Sequence, residues 1–378
     1  MEFEGKMTSQ SKPRLFYIDN IRLLIIVCVV MHHLAVTYSG NGSWYYIETA
    51  PMGALPQLWF SLYLSFQQAY FMGAMFLFAG YFTVSAYNKK GFGKFLADRF
   101  TRLIIPALFY MIIIAPFMSY VELGNKFNLS EATWIGFLSS NGVMWFTIAL
   151  FIFSAIYALG RKIRGKSAAE QQTGGKLPFF VPLALTGVIA LGAFIIRLFQ
   201  PLGTNVFNMQ LGNFSSYIFL FIAGILSYRY DLLSKISFRA GKNWLIGAVV
   251  SPLLIVLVLV IGKINADNVA AVKGGLNGYC LFYALWESFV AVAMCAGLVG
   301  VVKAKFNRQN KLMKALSDSS FAVYMFHPPI IVAVTLFFKS AALPSIAKWF
   351  VLSLVCVPLC FAAAYFILRK IPVLNKIL

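Results

Sequence analysis

Residues 16–39 open with Phe16-Tyr17-Ile18-Asp19-Asn20-Ile21-Arg22, continue through the apolar run Leu23-Leu24-Ile25-Ile26-Val27-Cys28-Val29-Val30-Met31, and close with His32-His33-Leu34-Ala35-Val36-Thr37-Tyr38-Ser39. At ~1.5 Å per residue, such a stretch crosses the ~30 Å hydrocarbon core of a bilayer, so it reads as a membrane-spanning helix. Arg22 and His33 are eleven positions apart, a net rotation of ~20° and an axial rise of ~16 Å. They share one face. With Arg22 at a membrane interface, His33 is expected near the midplane, where an imidazole needs protein or water partners. His32 lies ~80° from that face and points either to a neighbouring helix or to lipid, so His33 is preferred as the chemical group. A plain helix-to-helix hydrogen bond is the structural alternative for it. Asp19, at i,i+3 from Arg22, either pairs with the guanidinium or serves as the negative residue at a helix start.

Apolar runs of this kind recur along the whole chain. With 60% apolar and 12% charged residues there is too little polar surface for a soluble domain, and the expected fold is an all-α polytopic membrane protein. The runs predict ten helices, over about 20–39, 59–87, 103–121, 142–160, 178–199, 213–230, 244–264, 277–302, 319–339 and 346–368. They form one membrane domain over 20–368, between an N-terminal tail (1–19) and a C-terminal tail (369–378), with no appended soluble domain. An even number of crossings puts both termini on one side. Of the 32 Lys and Arg, all but Lys126, Arg197, Lys263, Lys273, Lys339 and Lys348 fall on that side, which predicts cytoplasmic termini. The net charge of +20 then reflects topology first and nucleic acid not at all. The first run passes Tyr38 without a small-residue cleavage site, so the first span is expected to be retained. The stretch from Arg161 to Lys176 reads as a solvated cytoplasmic loop.

The five cysteines all fall in apolar runs and read as small core residues. Three histidines and few acidic residues give no ligand spacing, so no metal and no permanently bound cofactor is expected. Titratable groups inside spans carry the functional signal: Asp19, Arg22, His32, His33, Arg197, Glu287 and His327. Arg99 and Arg102, in Asp98-Arg99-Phe100-Thr101-Arg102, stand at i,i+3 where a helix begins, and either clamp phosphate or form a basic flank with Asp98. Glu287 either orients a catalytic histidine or binds acceptor hydroxyls, the alternative being a structural pair with Arg197. His327 precedes Pro328-Pro329, where freed backbone carbonyls make a structural role for its ring at least as natural as catalysis. Trp44, Tyr45 and Tyr46, with Asn205, Phe207, Asn208 and Gln210, suit either sugar contact or an interfacial aromatic belt.

Three segments in order resemble a family. Phe16-Tyr17-Ile18-Asp19-Asn20-Ile21-Arg22 with His33 resembles the Arg-x10-His motif of acyltransferase family 3, the integral-membrane acyltransferases that modify cell-surface glycans and related molecules. Arg99-x-x-Arg102 resembles its Arg-x-x-Arg motif. Ser319-Ser320-Phe321-Ala322-Val323-Tyr324-Met325-Phe326-His327-Pro328 is similar to its late Ser-aromatic-Tyr-x-x-His-Pro segment, and Trp145-Phe146 also fits. The resemblance covers nearly the whole chain.

The resemblance implies transfer of an acetyl- or succinyl-class group from cytoplasmic acyl-CoA, the donor substrate, to a hydroxyl of an extracytoplasmic carbohydrate or related acceptor, in a bacterial cytoplasmic membrane. His33 and Glu287 are then the catalytic candidates and Arg22, Arg99 and Arg102 the CoA-binding ones. Asp19, His32, Arg197, His327 and Trp145 are supporting. Tyr17-Ile18-Asp19-Asn20-Ile21-Arg22 and the standalone form look most like the branch that succinylates periplasmic glucans. The partners are acyl-CoA, the hydroxyl acceptor and membrane lipid, with oligomeric state open. The rival from another class is a multi-span transporter or flippase for a glycan, lipid or organic anion, since buried charges and Pro-interrupted helices also describe carriers.

Overall fold

The computed structural model describes residues 15–40, 42, 44–48, 52–122, 134–165, 178, 180–264, 268–372 and 374. The tail before Leu15, loop residues 166–177, Lys126 and the chain after Leu374 lie outside them. Regular structure among the described residues is helical, with one isolated strand-like bridge between Val206 and Met209. The first elements are α1 (Phe16–Ser39), α2 (Ala54–Arg99), α3 (Ile105–Phe109), α4 (Ala115–Glu122) and α5 (Trp134–Ser139). Then follow α6 (Trp145–Ile163), α7 (Phe180–Arg197), α8 (Phe214–Tyr230), α9 (Leu232–Lys235) and α10 (Phe238–Val250). The last are α11 (Pro252–Ile261), α12 (Ala270–Lys273), α13 (Gly278–Lys305), α14 (Lys311–Phe337) and α15 (Ser345–Phe366).

Nine helical stretches among the described residues are long and apolar enough to cross a membrane, where the hydropathy predicts ten. The difference lies in Ala54–Tyr120, 67 residues that hold two of the expected runs without a loop between them. A straight helix of that length would reach ~100 Å, about three times the hydrocarbon thickness. It is not straight. At Gly91 φ is 69° and ψ 176°, a left-handed conformation that glycine adopts without steric cost. Thr83 Oγ1 receives an Arg99 guanidinium N–H from the far side of this turn at 3.5 Å, so the two arms fold back on each other.

Two π-helical turns interrupt the second arm, at Phe100–Ile104 and Tyr110–Ile114. Each lies just before a proline, Pro106 and Pro116. A proline has no N–H for the carbonyl four residues back, and its ring crowds that turn; one wide i→i+5 turn relieves both problems. The Ile105 N–H accordingly reaches the Phe100 carbonyl and the Ala115 N–H the Tyr110 carbonyl.

α1 sits inside the bundle, packed by α2, α13, α14 and α15. Its titratable residues therefore meet protein before lipid. At the periphery α11 buries none of its residues, as befits an all-apolar helix turned toward acyl chains. α2 and α8 approach backbone to backbone. A Cβ on Gly80 would collide with the Phe221 carbonyl, and one on Gly224 with the Leu77 carbonyl. In lipid, where apolar side chains gain little by leaving their surroundings, such backbone proximity supplies the packing that joins helices. Gly80→Val or Gly224→Val is expected to destabilise the fold by about 1–3 kcal/mol through forced separation of α2 and α8. Thermal unfolding in detergent measures it, with Gly187→Ala, whose Cβ meets nothing within 4 Å, as the neutral control.

Candidate active site

The last turns of α1 carry His32 and His33 into a cavity of about 470 Å³. Both rings line it, so the angular separation that favoured His33 does not send His32 to lipid. The His33 ring has two near-parallel aromatic neighbours: Trp44 stacks on it at 3.9 Å between centroids and 17° between planes, and His327 lies at 5.0 Å and 27°. His32 packs against Phe71 at 5.0 Å and edge-on to His33 at 5.6 Å. The Nδ1 atoms of His32 and His33 are buried with no hydrogen-bond partner among the described residues. A buried ring nitrogen in that state is expensive to hold unless something enters to meet it.

His327 shows why a histidine precedes the two prolines. Pro328 has no N–H to give to the Tyr324 carbonyl, and the His327 Nδ1 lies 2.8 Å from that oxygen and 3.2 Å from the Val323 carbonyl. Carbonyls only accept, so Nδ1 carries the proton and replaces the lost helix bond. The ring is fully buried and braced beneath His33. The opposite wall of the cavity presents amides and hydroxyls. Gln68 Nε2 donates to the Tyr217 hydroxyl at 3.0 Å, Trp145 stacks on Tyr217, and Asn208 Nδ2 donates to Asn141 Oδ1 and the Gly142 carbonyl.

A second cavity, about 870 Å³, adjoins the first and reaches along α1 to Arg22. Arg22, Arg99 and Arg102 all line it, with Asp98 and Thr101. Arg99 is half-buried, its guanidinium 5.2 Å over the Phe95 ring and its Nε buried without a partner among the described residues. Arg102 is exposed and pairs with Asp98 at 3.1 Å, a carboxylate that also holds Lys90 at 2.7 Å. Arg22 lies 3.9 Å from Asp19, so the i,i+3 pairing expected from sequence is made, loosely. Three guanidiniums thus line one cavity, about three turns of α1 away from the histidines.

Glu287 stands elsewhere. Its carboxylate receives both hydrogen bonds from Arg197 Nη2, at 2.9 and 2.7 Å, and it lines neither cavity. The pair with Arg197, one of the two readings the sequence left open for Glu287, is the arrangement found. Arg197, fully buried, also donates from Nε to the Gly212 carbonyl at 3.0 Å. The pair therefore anchors the connection between α7 and α8, which delivers Asn208, Gln210 and Asn213 to the histidine cavity. A second buried pair acts on the opposite wall: Lys348 Nζ holds both Glu48 oxygens, at 2.8 and 2.9 Å, and Glu48 N–H bonds the Thr37 carbonyl. That fastens the segment carrying Trp44 over His33. Among the described residues no three His, Cys, Asp or Glu side chains gather as a metal site.

Apolar helices around two adjoining polar cavities make this a multi-pass membrane protein with an internal site. Residues 15–365 match the acyltransferase domain of acyltransferase family 3, and the chain belongs to that family. It is a membrane acyltransferase. Similar proteins include "Glucans biosynthesis protein C" of Salmonella heidelberg (strain SL476) and of Salmonella typhi, each 23% identical over 364 residues, spanning 90% of this chain and 88% of the relative. No solved structure matches. The carrier alternative gives way to the family.

Sequence reasoning passed over Gln68, Tyr217 and Met72, all on cavity walls. For Gln68 a signal was present, since Gln67-Gln68 places two amides inside an apolar run where unpaired polar groups are costly. Met72 and Tyr217 carry none, being ordinary residues of a membrane helix.

Removing one member of the Arg197–Glu287 pair strands the other, so Arg197→Met or Glu287→Met alone is expected to cost about 3–5 kcal/mol. Unfolding in detergent should show the double replacement recovering most of that loss. Acyl transfer that returns together with stability identifies Glu287 as a positioning residue; restored folding with transfer still lost would return it to the chemistry.

Proposed function

We propose that this acyltransferase moves an acetyl- or succinyl-class group from cytoplasmic acyl-CoA to a hydroxyl of an extracytoplasmic glycan or related acceptor, in a bacterial cytoplasmic membrane, with His33 as general base. The observation that carries this reading is the juxtaposition of an arginine-lined cavity with a histidine-lined one, end to end along α1. CoA carries three phosphate groups on its nucleotide half and a thioester at the tip of a long flexible arm. Guanidiniums recognise phosphate oxygens in bidentate pairs, so Arg22, Arg99 and Arg102 hold the nucleotide end while the arm extends toward His33. The excess of Lys and Arg on the N-terminal side supports a cytoplasmic mouth for that cavity.

In the histidine cavity, aromatic rings and amides suit a sugar: ring faces meet its C–H surfaces, and Gln68, Asn208 and Asn213 pair with hydroxyls. The name of the Salmonella relatives, which speaks of glucans, favours a glucan-type acceptor. His33 takes the proton of an acceptor hydroxyl as its oxygen attacks the thioester carbonyl. The tetrahedral oxyanion collapses with cleavage of the C–S bond, an ester remains on the acceptor, and the imidazolium returns its proton to the CoA thiolate. The stacked Trp44 and His327 rings hold the imidazole plane, so little ordering remains to be done at the moment of transfer.

His33→Asn is expected to lower kcat by about 10²–10⁴-fold while acyl-CoA still binds, read by release of CoA thiol and by titration of the ligand. Undiminished turnover in that variant would remove His33 from this role. Arg99→Gln and Arg102→Gln are expected to raise KM for acyl-CoA about tenfold each with a smaller change in kcat, the mark of lost ground-state binding. A kcat loss at unchanged KM would instead place them beside the reacting atoms.

A further inference from the structure

The two cavities have two lining residues in common, Met72 and Tyr324. These side chains are the wall between the arginine end and the histidine end, and they are unlike each other. Tyr324 is fixed. Its hydroxyl donates to the Val143 carbonyl, its ring contacts Phe146 and Phe321 at 6.1 and 6.2 Å, and its own carbonyl is bound by His327. The hydroxyl tether at one end and the two neighbouring rings hold the side chain where it is.

Met72 on α2 is 5% exposed, between Phe71, which faces the histidine cavity, and Met75, which faces the arginine cavity. No hydrogen bond restrains a thioether. Three rotatable bonds and a polarisable sulfur let methionine reshape itself around what lies against it. The partition thus has one rigid jamb and one compliant one.

We infer that Met72, closing against Tyr324, selects the size of the acyl group that reaches His33. This rests on the reading of the two cavities as donor and acceptor chambers. The acyl group is the terminal part of the donor, beyond the thioester carbonyl as seen from the nucleotide. For that carbonyl to arrive at His33, everything beyond it must first pass Met72 and Tyr324. It must then share about 470 Å³ with the acceptor. A two- to four-carbon group passes when the thioether swings aside. A long chain must hold the partition open along its length while filling the space the sugar needs.

The test uses the full chain in membrane vesicles with acetyl-, succinyl- and octanoyl-CoA as donors and a glucose oligosaccharide as acceptor. CoA thiol release and mass spectrometry of the sugar report transfer. Met72→Ala is expected to raise the ratio of octanoyl to short-chain kcat/KM by about tenfold or more, and Met72→Phe to lower the ratio of succinyl to acetyl by a similar factor. Tyr324→Phe, which loses the tether to Val143 and keeps the ring, shifts the ratio in the same direction as Met72→Ala. Where Met72→Ala is not recovered in the membrane, Met72→Val carries the same expectation. Ratios unchanged in these variants of an active enzyme overturn the role of Met72 and leave the proposed function standing. Wild-type protein that turns over none of the three donors overturns the proposed function, and the inference with it.

Discussion

A polar group inside hydrocarbon has no water to fall back on, and every arrangement around the site follows from that constraint. An unpaired carboxylate or guanidinium at such a depth would be forced to neutralise or to distort the bilayer around it. Arg197 and Glu287 meet in a bidentate pair, and Lys348 meets Glu48 in another. Neither pair touches the histidines. Each fixes a connecting segment, one bearing Asn208 and Gln210, the other bearing Trp44, and both segments line the histidine cavity. Charge that the fold must hide is used to set the walls of the cavity.

The histidines are treated in the opposite way. His327 is satisfied at Nδ1 by backbone that Pro328 left open, while the Nδ1 atoms of His32 and His33 are left without protein partners among the described residues. A neutral imidazole can be carried in that state where a carboxylate cannot, because the cost is a lost hydrogen bond and not a buried charge. The same low dielectric that makes the empty site costly strengthens any hydrogen bond or charge interaction once substrate arrives. The imidazoles line one cavity and the guanidiniums the other, so the character of the lining changes from aromatic and amide to cationic between the two.

Much of this was legible in residue order. Apolar run length located the membrane helices, and the helical period alone put Arg22 and His33 on one face. The boundary that failed was the one between the second and third runs. Lys89 through Lys94 looks like a polar loop, yet Gly91 turns the chain in a single residue and the helix resumes at once, so a count by loops and a count by helices disagree. For Glu287 the sequence left two readings open, and the pair with Arg197 became visible only in the structure. A buried acid in a span marks function on average, and hydropathy carries no information on whether its partner is a histidine, an arginine or a hydroxyl.

From its sequence alone this chain was determined to be a helical membrane protein with an internal imidazole, a basic end and the ordered motifs of an acyltransferase family. Those features are local or one-dimensional: the length of a run, the angle between two side chains on one helix, the order of three segments. Tertiary structure decided which residues share a wall. Glu287 pairs with Arg197 from another helix, Trp44 lies on His33, and Met72 and Tyr324 stand together between two cavities. Helices in lipid are uniformly greasy on most faces, so nothing along the chain says which faces meet. Close packing at small residues and the pairing of buried charges settle it, and both exist only once the helices have come together.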